Sequence, residues 1–248
     1  MSGCVVVIGG PTASGKSELA LRIADVEGGE IVCADSRQVY AGLTIAAAAP
    51  TGAELARVPH HGYGVLDGAA DTMSAGRFVA FADALIADIN ARGKVAVLVG
   101  GTGLYLRAWR FGLDLPRATD APARDMAALL ARQPRAIAAD ARFLLVEAPQ
   151  VELELRIRAR AERMFRAAIV EESLALRARL PPGHALLQTL GTAEALALAD
   201  GALGLHDAIA RTALRTRQYA RRQRTWFKKE RWWARPAGLR LSHPRDPR

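Results

Sequence analysis

Residues 10–17 read GPTASGKS; they follow the apolar run CVVVIGG of residues 4–10 and open a helical pattern that begins at Lys16. A Gly-x-x-x-x-Gly-Lys-Ser spacing between a strand and a helix is the phosphate-binding P-loop. Its glycines let backbone N–H groups converge on phosphate oxygens, and the helix N-terminus adds partial positive charge. Lys16 is expected to neutralise a terminal phosphate, and the Ser17 hydroxyl to bind Mg²⁺. The loop predicts a bound di- or triphosphate, but alone it does not separate a kinase, an NTPase and a transferase with a pyrophosphate leaving group.

Apolar runs alternate with helical patterns along the chain, and this alternation predicts the fold. Strands are expected at residues 4–9, 30–35, 94–101 and 142–148, and helices at residues 16–26, 73–91, 151–180, 192–200 and 206–234. The strands are apolar throughout, which is typical of a parallel sheet with both faces covered. We therefore expect an α/β fold: a P-loop NTPase-like core with a mostly parallel sheet flanked by helices, plus a reduced helical insertion.

The domain organisation follows from where this alternation is interrupted. The first part of the P-loop α/β core is expected at residues 1–110, and a shortened insertion at residues 111–141. Residues 142–235 are expected to complete the core with basic C-terminal helices. The Pro- and Arg-rich residues 236–248 are expected to form a flexible tail.

Composition narrows the class of protein. Half of the 248 residues are hydrophobic, yet no apolar run approaches the roughly 18–20 residues that span a bilayer. Met1 leads directly into a strand-like run without a basic leader, so we expect a cytoplasmic protein with no membrane partner. We also expect a monomer. Cys4 and Cys33 are predicted to be buried thiols without a disulfide, and the His60-His61 pair to be a loop feature rather than a metal site.

The positive charge is concentrated in one segment. Residues 211–235 hold ten Lys and Arg and one Glu, so this segment accounts for the whole formal net charge of +9. A local basic patch indicates an anionic partner such as a nucleic-acid backbone. The segment also contains Trp226, Trp232 and Trp233, which we expect mostly to pack on the core while the arginines mostly bind.

Two further turns follow predicted strands, and their residues narrow the chemistry. The second strand ends in Asp35, and the third in Gly-Gly-Thr-Gly-Leu-Tyr at residues 100–105. Because ligands bind at the carboxyl ends of parallel strands, Asp35 can bind Mg²⁺ or accept a proton, and Thr102 offers a hydroxyl at the same edge. Ser36 and Gln38 can hydrogen-bond a flat polar ligand such as a base edge. A capping aspartate and a packing turn are the structural alternatives.

With these pieces in order, the chain resembles the tRNA dimethylallyltransferases, also called isopentenyl-tRNA transferases. The matching segments are GPTASGKS, EIVCADSRQVYAGL, VPHH, LVGGTGLYL, LRIRARAERMFRAAIVEESLAL and TRQYARRQRTWF, and they extend over roughly residues 4–124 and 142–233. The resemblance implies transfer of a dimethylallyl group from dimethylallyl diphosphate to N6 of an adenosine next to the anticodon in the tRNA anticodon loop. The P-loop then holds the leaving pyrophosphate with Mg²⁺, and no ATP is hydrolysed.

The resemblance also implies roles for individual residues. Asp35 would accept the N6 proton, with Lys16 and Thr102 completing the catalytic set and Ser17 holding the metal. The diphosphate would contact Gly10, Pro11, Thr12, Ala13, Ser14, Gly15, Lys16, Ser17 and Arg217. The tRNA would contact Asp35, Ser36, Arg37, Gln38, Thr102, Arg124, Arg221, Arg222 and Arg224. The target base must leave its stack to reach such a pocket.

The chain departs from the family pattern at three places. Where the family continues with Gly-Thr-Ala-Lys-Pro, residues 46–50 read Ala-Ala-Ala-Ala-Pro, so a glycine, a hydroxyl and a lysine give way to methyl groups. Residues 111–141 are too short for the family's helical insertion that embraces the anticodon stem-loop, and they lack the Asn-Asp-x-x-Arg segment that follows it. Residues 191–194 read Gly-Thr-Ala-Glu, without the expected tyrosine.

These departures leave three other functions open. A relative that prenylates a free adenine nucleotide also lacks a large insertion. A degenerate chain that binds RNA or pyrophosphate but turns over poorly would keep the same motifs. A P-loop kinase or NTPase, with Arg124, Arg132 and Arg135 as a lid, would turn over ATP.

Overall fold

The computed structural model describes residues 4–112, 135 and 140–234. Its strands are β1 (Val5–Gly9), β2 (Gly29–Cys33), β3 (His60–His61), β4 (Val95–Gly100) and β5 (Arg142–Leu145). They form one parallel sheet in the order β3-β2-β4-β1-β5. Because β1, β2 and β4 are neighbours and run in the same direction, the loops that follow them meet at one edge of the sheet.

Helices cover both faces of this sheet. They are α1 (Lys16–Glu27), α2 (Gly52–Arg57), α3 (Ala75–Ala91), α4 (Gly103–Phe111), α5 (Gln150–Arg166), α6 (Ile169–Arg179), α7 (Thr192–Ala199) and α8 (Leu205–Lys229), with a 3₁₀ turn at Ala185–Gln188. Local sequence sets several helix starts. The Ser74 hydroxyl accepts a hydrogen bond from the Arg77 N–H and caps α3, and Thr51 and Glu54 form a capping box on α2.

The two faces of the sheet bury separate apolar clusters. Val6 and Ile8 pack with Leu21 of α1 on one face, and Val7 packs with Phe78 of α3 on the other. Successive strand residues point to opposite faces, so a strand that is apolar throughout fills both clusters. The predicted α/β fold with a parallel sheet between helices is confirmed.

The prediction of one helix at residues 151–180 is wrong. Ala167 leaves the helical conformation with φ −85° and ψ −174°, and this break separates α5 from α6. The break turns Ile169 into a buried cluster with Met164 and Leu176. The sequence has no glycine or proline at this break. Tertiary packing, rather than low local helix propensity, therefore ends α5.

The last predicted helix is five residues too long. After Lys229 the chain turns back onto β5, where the Ala234 N–H donates to the Phe143 carbonyl and the Ala234 carbonyl accepts from the Leu145 N–H, both at 2.9 Å. Trp232 and Trp233 stack with ring centroids 4.1 Å apart beside Phe143. The expectation that these tryptophans pack on the core is confirmed.

Both cysteines are free, as predicted, but only Cys33 is buried. Cys4 is exposed, contrary to expectation, because it precedes the first residue of β1 at the end of the sheet. Most of the predicted insertion, residues 113–134 and 136–139, lies outside the described residues, and so does the predicted tail. In the part of the chain that the structure describes, the helices are all too short or too polar to cross a membrane.

Candidate active site

A cavity of about 500 Å³ opens at the edge of the sheet where β1, β2 and β4 end. The phosphate loop forms one side, the turn at residues 35–38 the second, and Gly100 with Gly101 the third. Residues of α5 and α8 close the cavity from above, together with the alanine run at residues 46–48. Three sequence-predicted segments therefore share one space.

The phosphate loop has the conformation that an anion site requires. Its φ angles are positive at Gly10, Ala13 and Gly15, which turns successive N–H groups inward at the start of α1. The Lys16 ammonium donates a hydrogen bond to the Pro11 carbonyl at 2.6 Å. Burial and, to a smaller extent, the neighbouring Arg160 lower the pKa of Lys16 to about 8, against the attraction of Asp35. An anion beside Lys16 would restore the charged form.

Arg160 of α5 is a second cation at this loop, and it was not among the residues predicted from the sequence. Its Nη1 donates to the Thr12 hydroxyl at 3.0 Å and its Nη2 to the Ala46 carbonyl at 3.3 Å. Burial lowers its pKa. The available signal was its place on the apolar face of α5, three residues after the buried Ile157 and four before the buried Met164.

The structure does not place Arg217, which was expected to contact the diphosphate, among the residues that line this cavity. Arg217 is exposed and lines a separate groove between α5 and α8. The α8 residues at the cavity are Arg215, Thr216, Tyr219, Arg222 and Gln223. Their spacing of three and four residues defines one helix face, and position 217 falls on another.

Thr102 lies beside the turn that carries Asp35, although Thr102 itself does not line the cavity. Asp35 lines the cavity, and its Oδ1 accepts a hydrogen bond from the Arg37 N–H at 2.8 Å. The Ser36 N–H donates to the Thr102 hydroxyl oxygen at 2.9 Å. Two strand-end turns are thereby fixed to each other, and the Thr102 hydroxyl keeps its own hydrogen for another acceptor.

The alanine run is held through its backbone. Gln38 donates from Nε2 to the carbonyls of Ala47 and Ala48 at 3.0 and 2.8 Å, so its amide braces this loop. The Glu172 carboxylate accepts from the Ile45 and Ala46 N–H groups at 2.7 and 2.9 Å. The side chains that this loop turns toward the cavity are methyl groups.

The predicted tRNA-contacting arginines have different surroundings. Arg37 and Arg222 line the cavity, Arg221 is exposed, and Arg224 donates to Gln150. Arg124 lies outside the described residues, as does Arg132.

Arg135 does not contribute to the arginine lid that a kinase would need over this cavity. Its guanidinium pairs with Asp83 and donates to the Trp109 carbonyl at 3.1 Å. Neither partner lines the cavity.

Arg215, a further cavity arginine, is held by a buried carboxylate. Its Nη1 pairs with Glu194, which is 2% exposed, and its Nη2 donates to the Gln188 carbonyl at 3.1 Å. Glu194 also accepts from the Gly191 N–H at 2.9 Å. The segment that lacks the expected tyrosine therefore keeps a glutamate that orients a cation.

Oxygen ligands for a cation are present at the cavity. Ser17 and Asp35 both line it, and hydroxyl and carboxylate oxygens are the donors that Mg²⁺ prefers. Among the described residues, no group of three His, Cys, Asp or Glu could hold a metal ion. His61 Nε2 lies 2.6 Å from a carboxylate oxygen of Glu30. The expectation of a loop at the histidine pair is wrong, because His60 and His61 form β3.

Two protein-family models match the chain. The model described as IPP transferase matches residues 38–140 and 123–230, and the model described as isopentenyl transferase matches residues 3–66.

Proteins named tRNA dimethylallyltransferase are similar over nearly the whole chain. The one from Anaeromyxobacter dehalogenans is 39% identical over 285 aligned positions, which cover 94% of this chain and 95% of the relative. The one from a Caulobacter species is 37% identical, with 91% and 90% covered. The first alignment is longer than the 248 residues of this chain, so the relative has residues without a counterpart here.

Solved structures of two transferases superpose on most of this chain. A tRNA delta(2)-isopentenylpyrophosphate transferase from Staphylococcus epidermidis superposes with a TM-score of 0.81 at 25% identity, over 97% of this chain and 94% of the other. A eukaryotic dimethylallyltransferase acting on tRNA superposes with a TM-score of 0.75 at 25% identity, over 91% of this chain and 70% of the other.

Proposed function

This chain belongs to the IPP transferase family, and we propose from that premise that it is a tRNA dimethylallyltransferase. It transfers the dimethylallyl group of dimethylallyl diphosphate to N6 of the adenosine next to the anticodon in tRNA. The main support from the structure is the shared cavity, where a phosphate loop with two cations faces the carboxylate of Asp35.

The donor binds by its diphosphate. The backbone N–H groups of the phosphate loop, the Lys16 ammonium and the Arg160 guanidinium surround the site where it would lie. Negative charge builds on the bridging oxygen as the leaving group departs, and fixed cations in a sheltered site stabilise it more than water does. Arg160 thus takes the role that the family resemblance implied for Arg217.

The reaction then needs one base. The N6 nitrogen forms a bond to C1 of the dimethylallyl group, the C1–O bond breaks, and its electron pair leaves with pyrophosphate. The proton lost from N6 goes to the Asp35 carboxylate, whose orientation the Arg37 N–H fixes. The Thr102 hydroxyl, held beside Ser36, helps to orient the adenosine.

Mg²⁺ fits this site, with the Ser17 hydroxyl as the protein oxygen that would hold it. When bound, the ion adds positive charge next to the phosphate oxygens. The remaining positive charge at the donor end comes from Lys16 and Arg160.

The basic residues at the cavity and on α8 are proposed to bind the tRNA. Arg37 and Arg222 line the cavity, and Arg221 is exposed on the same segment of α8. A base enters such a cavity only after leaving its stack, and arginines suit the flanking phosphates. We also propose that Arg124 contacts tRNA, and that the protein acts as a cytoplasmic monomer.

The test offers labelled dimethylallyl diphosphate to unmodified tRNA and to AMP side by side, with Mg²⁺. Label in tRNA is the expected result. Label in AMP alone would assign the chain to the nucleotide isopentenyltransferases. Label in neither, with ATP turnover in a parallel assay, would assign it to the kinases or NTPases; with no turnover at all, the chain would be an impaired binder.

A further inference from the structure

The Gln223 side chain joins two loops of the cavity. It is 7% exposed, on the face of α8 that closes the site. Its Oε1 accepts from the Thr12 N–H at 2.8 Å, and its Nε2 donates to the Gly101 carbonyl at 2.9 Å. One amide therefore satisfies a backbone donor of the phosphate loop and a backbone acceptor of the turn after β4.

This contact depends on both residue types. Only the amide side chains offer a carbonyl oxygen and an N–H₂ group on one rigid end. Gly101 leaves the space for that end, because a Cβ atom at this position would lie 2.5 Å from the Gln223 Nε2. The φ of Gly101 is outside the left-handed region, so the need for glycine comes from this contact and not from the backbone.

The connection continues to Asp35, the proposed general base. Thr102 follows Gly101 directly, and its hydroxyl accepts from the N–H of Ser36, the residue after Asp35. A series of short contacts thus runs from Thr12 through Gln223 and the turn after β4 to the Asp35 turn. It links the side of the cavity that faces the diphosphate to the side that faces the acceptor.

We propose that Gln223 is a positioning residue that fixes the phosphate loop relative to the turns of Thr102 and Asp35, and so sets the distance between the donor carbon and the acceptor nitrogen. The inference deepens the proposed function and rests on it. Gln223 acts through backbone groups, so its loss should leave diphosphate affinity nearly intact. The transfer step should slow by roughly 10- to 100-fold, because a misplacement of about 1 Å costs that much.

The first experiment replaces the amide by a thioether of similar length. Gln223→Met should slow single-turnover transfer at saturating substrates roughly 10- to 100-fold, while the Kd for pyrophosphate with Mg²⁺ stays within about threefold. Gln218→Met is the matched control, the same change at an exposed position of the same helix, and should change neither value. An unchanged rate, or a loss of affinity as large as the loss of rate, overturns the proposal.

The second experiment reaches the same contact from the other end. Gly101→Ala should displace the Gln223 amide and slow transfer about tenfold, and it should cost nothing further in a Gln223→Ala background, where the clash is relieved. Costs that multiply in the double variant would show two independent effects and overturn the proposal. This cycle decides the matter even if Gln223→Met folds poorly.

A third measurement does not depend on catalysis. In the free protein, amide hydrogen exchange of Thr12 should be faster in Gln223→Ala than in Gln218→Ala. Equal exchange in the two variants contradicts the positioning role whatever the enzyme does. If Thr12 exchanges faster in Gln223→Ala than in Gln218→Ala but wild-type protein transfers no label to tRNA, the proposed function is contradicted instead.

Discussion

Arg160 donates a hydrogen bond from Nη1 to the Thr12 hydroxyl across 3.0 Å, and so holds a guanidinium against the phosphate loop. The same side chain reaches the Ala46 carbonyl and joins this loop to the alanine run. Because burial disfavours the charge, the guanidinium gains most when an anion lies beside it.

Arg160→Gln should therefore weaken pyrophosphate binding in the presence of Mg²⁺ by roughly 10- to 100-fold, the worth of one or two charge-assisted hydrogen bonds. Isothermal titration calorimetry measures it. Arg217→Gln is the matched control, since that residue lies in another groove, and should stay within about twofold of wild type. The reverse ranking would restore Arg217 to the donor site.

Pyrophosphate affinity should depend on the charge of Lys16. The pKa of this lysine in the folded protein is about 8, so the ammonium is fully present below that pH and is lost above it. Affinity should fall as pH rises through 8 to 9. Lys16→Arg, which stays charged, should remove that part of the fall, and parallel curves for the two proteins would contradict the assignment.

The same lysine affects stability in the absence of ligand. Its pKa is about 8 folded against 10.5 ordinarily, so between these values the unfolded chain binds more protons and the free energy of unfolding rises with pH. Urea unfolding at pH 7.5 and 9.5 measures this rise. Lys16→Met should show a smaller rise than wild type; an identical rise would mean that Lys16 is not buried in the folded protein.

Asp35→Asn should abolish most of the transfer activity while leaving the affinity for the diphosphate of the donor unchanged. Loss of a general base costs roughly 10²- to 10⁴-fold in rate. The single-turnover rate with tRNA and the Kd for pyrophosphate should therefore separate. Asp207→Asn, an exposed position on α8, is the control. Near-normal turnover of Asp35→Asn would remove Asp35 from the role of base.

Glu172→Ala should destabilise the protein by about 1–3 kcal/mol, because two backbone N–H groups of the alanine loop lose their acceptor. Urea unfolding gives the value. The neighbouring Glu171 is exposed, so Glu171→Ala should cost less than about 0.5 kcal/mol. Equal values for the two variants would mean that Glu172 contributes nothing beyond an exposed residue.

Neutralising Arg221, Arg222 and Arg224 together should flatten the dependence of tRNA binding on salt, since the slope falls by roughly 0.7 to 0.9 for each phosphate that the protein no longer neutralises. Arg224 is engaged with Gln150, so Arg221 and Arg222 should account for most of the change. Binding measured across a salt series tests this. A slope equal to that of wild type would mean that another surface holds the RNA.

Residues that directly follow a strand were predictable. The phosphate loop, Asp35 and Thr102 each follow an apolar strand, and parallel strands bring their ends together whatever the rest of the chain does. The local sequence pattern and the parallel sheet topology were sufficient to predict where these residues lie.

Residues supplied by distant helices were not predictable in the same way. Arg160 is one of five arginines in α5, and Arg217 one of six in α8. Which of them faces the cavity depends on helix rotation, and the break at Ala167 sets where the chain goes after α5. The charge of the segment was visible in the sequence, but the direction of each side chain was not.

The hydrogen bond between Thr12 and Gln223 spans 211 positions of the chain. During translation the phosphate loop therefore leaves the ribosome long before its partner has been made. A nascent chain that has not reached α8 has the loop but lacks both the amide that fixes it and the helix face that closes the cavity. A premature stop before this helix leaves the cavity incomplete even though every residue of the loop is present.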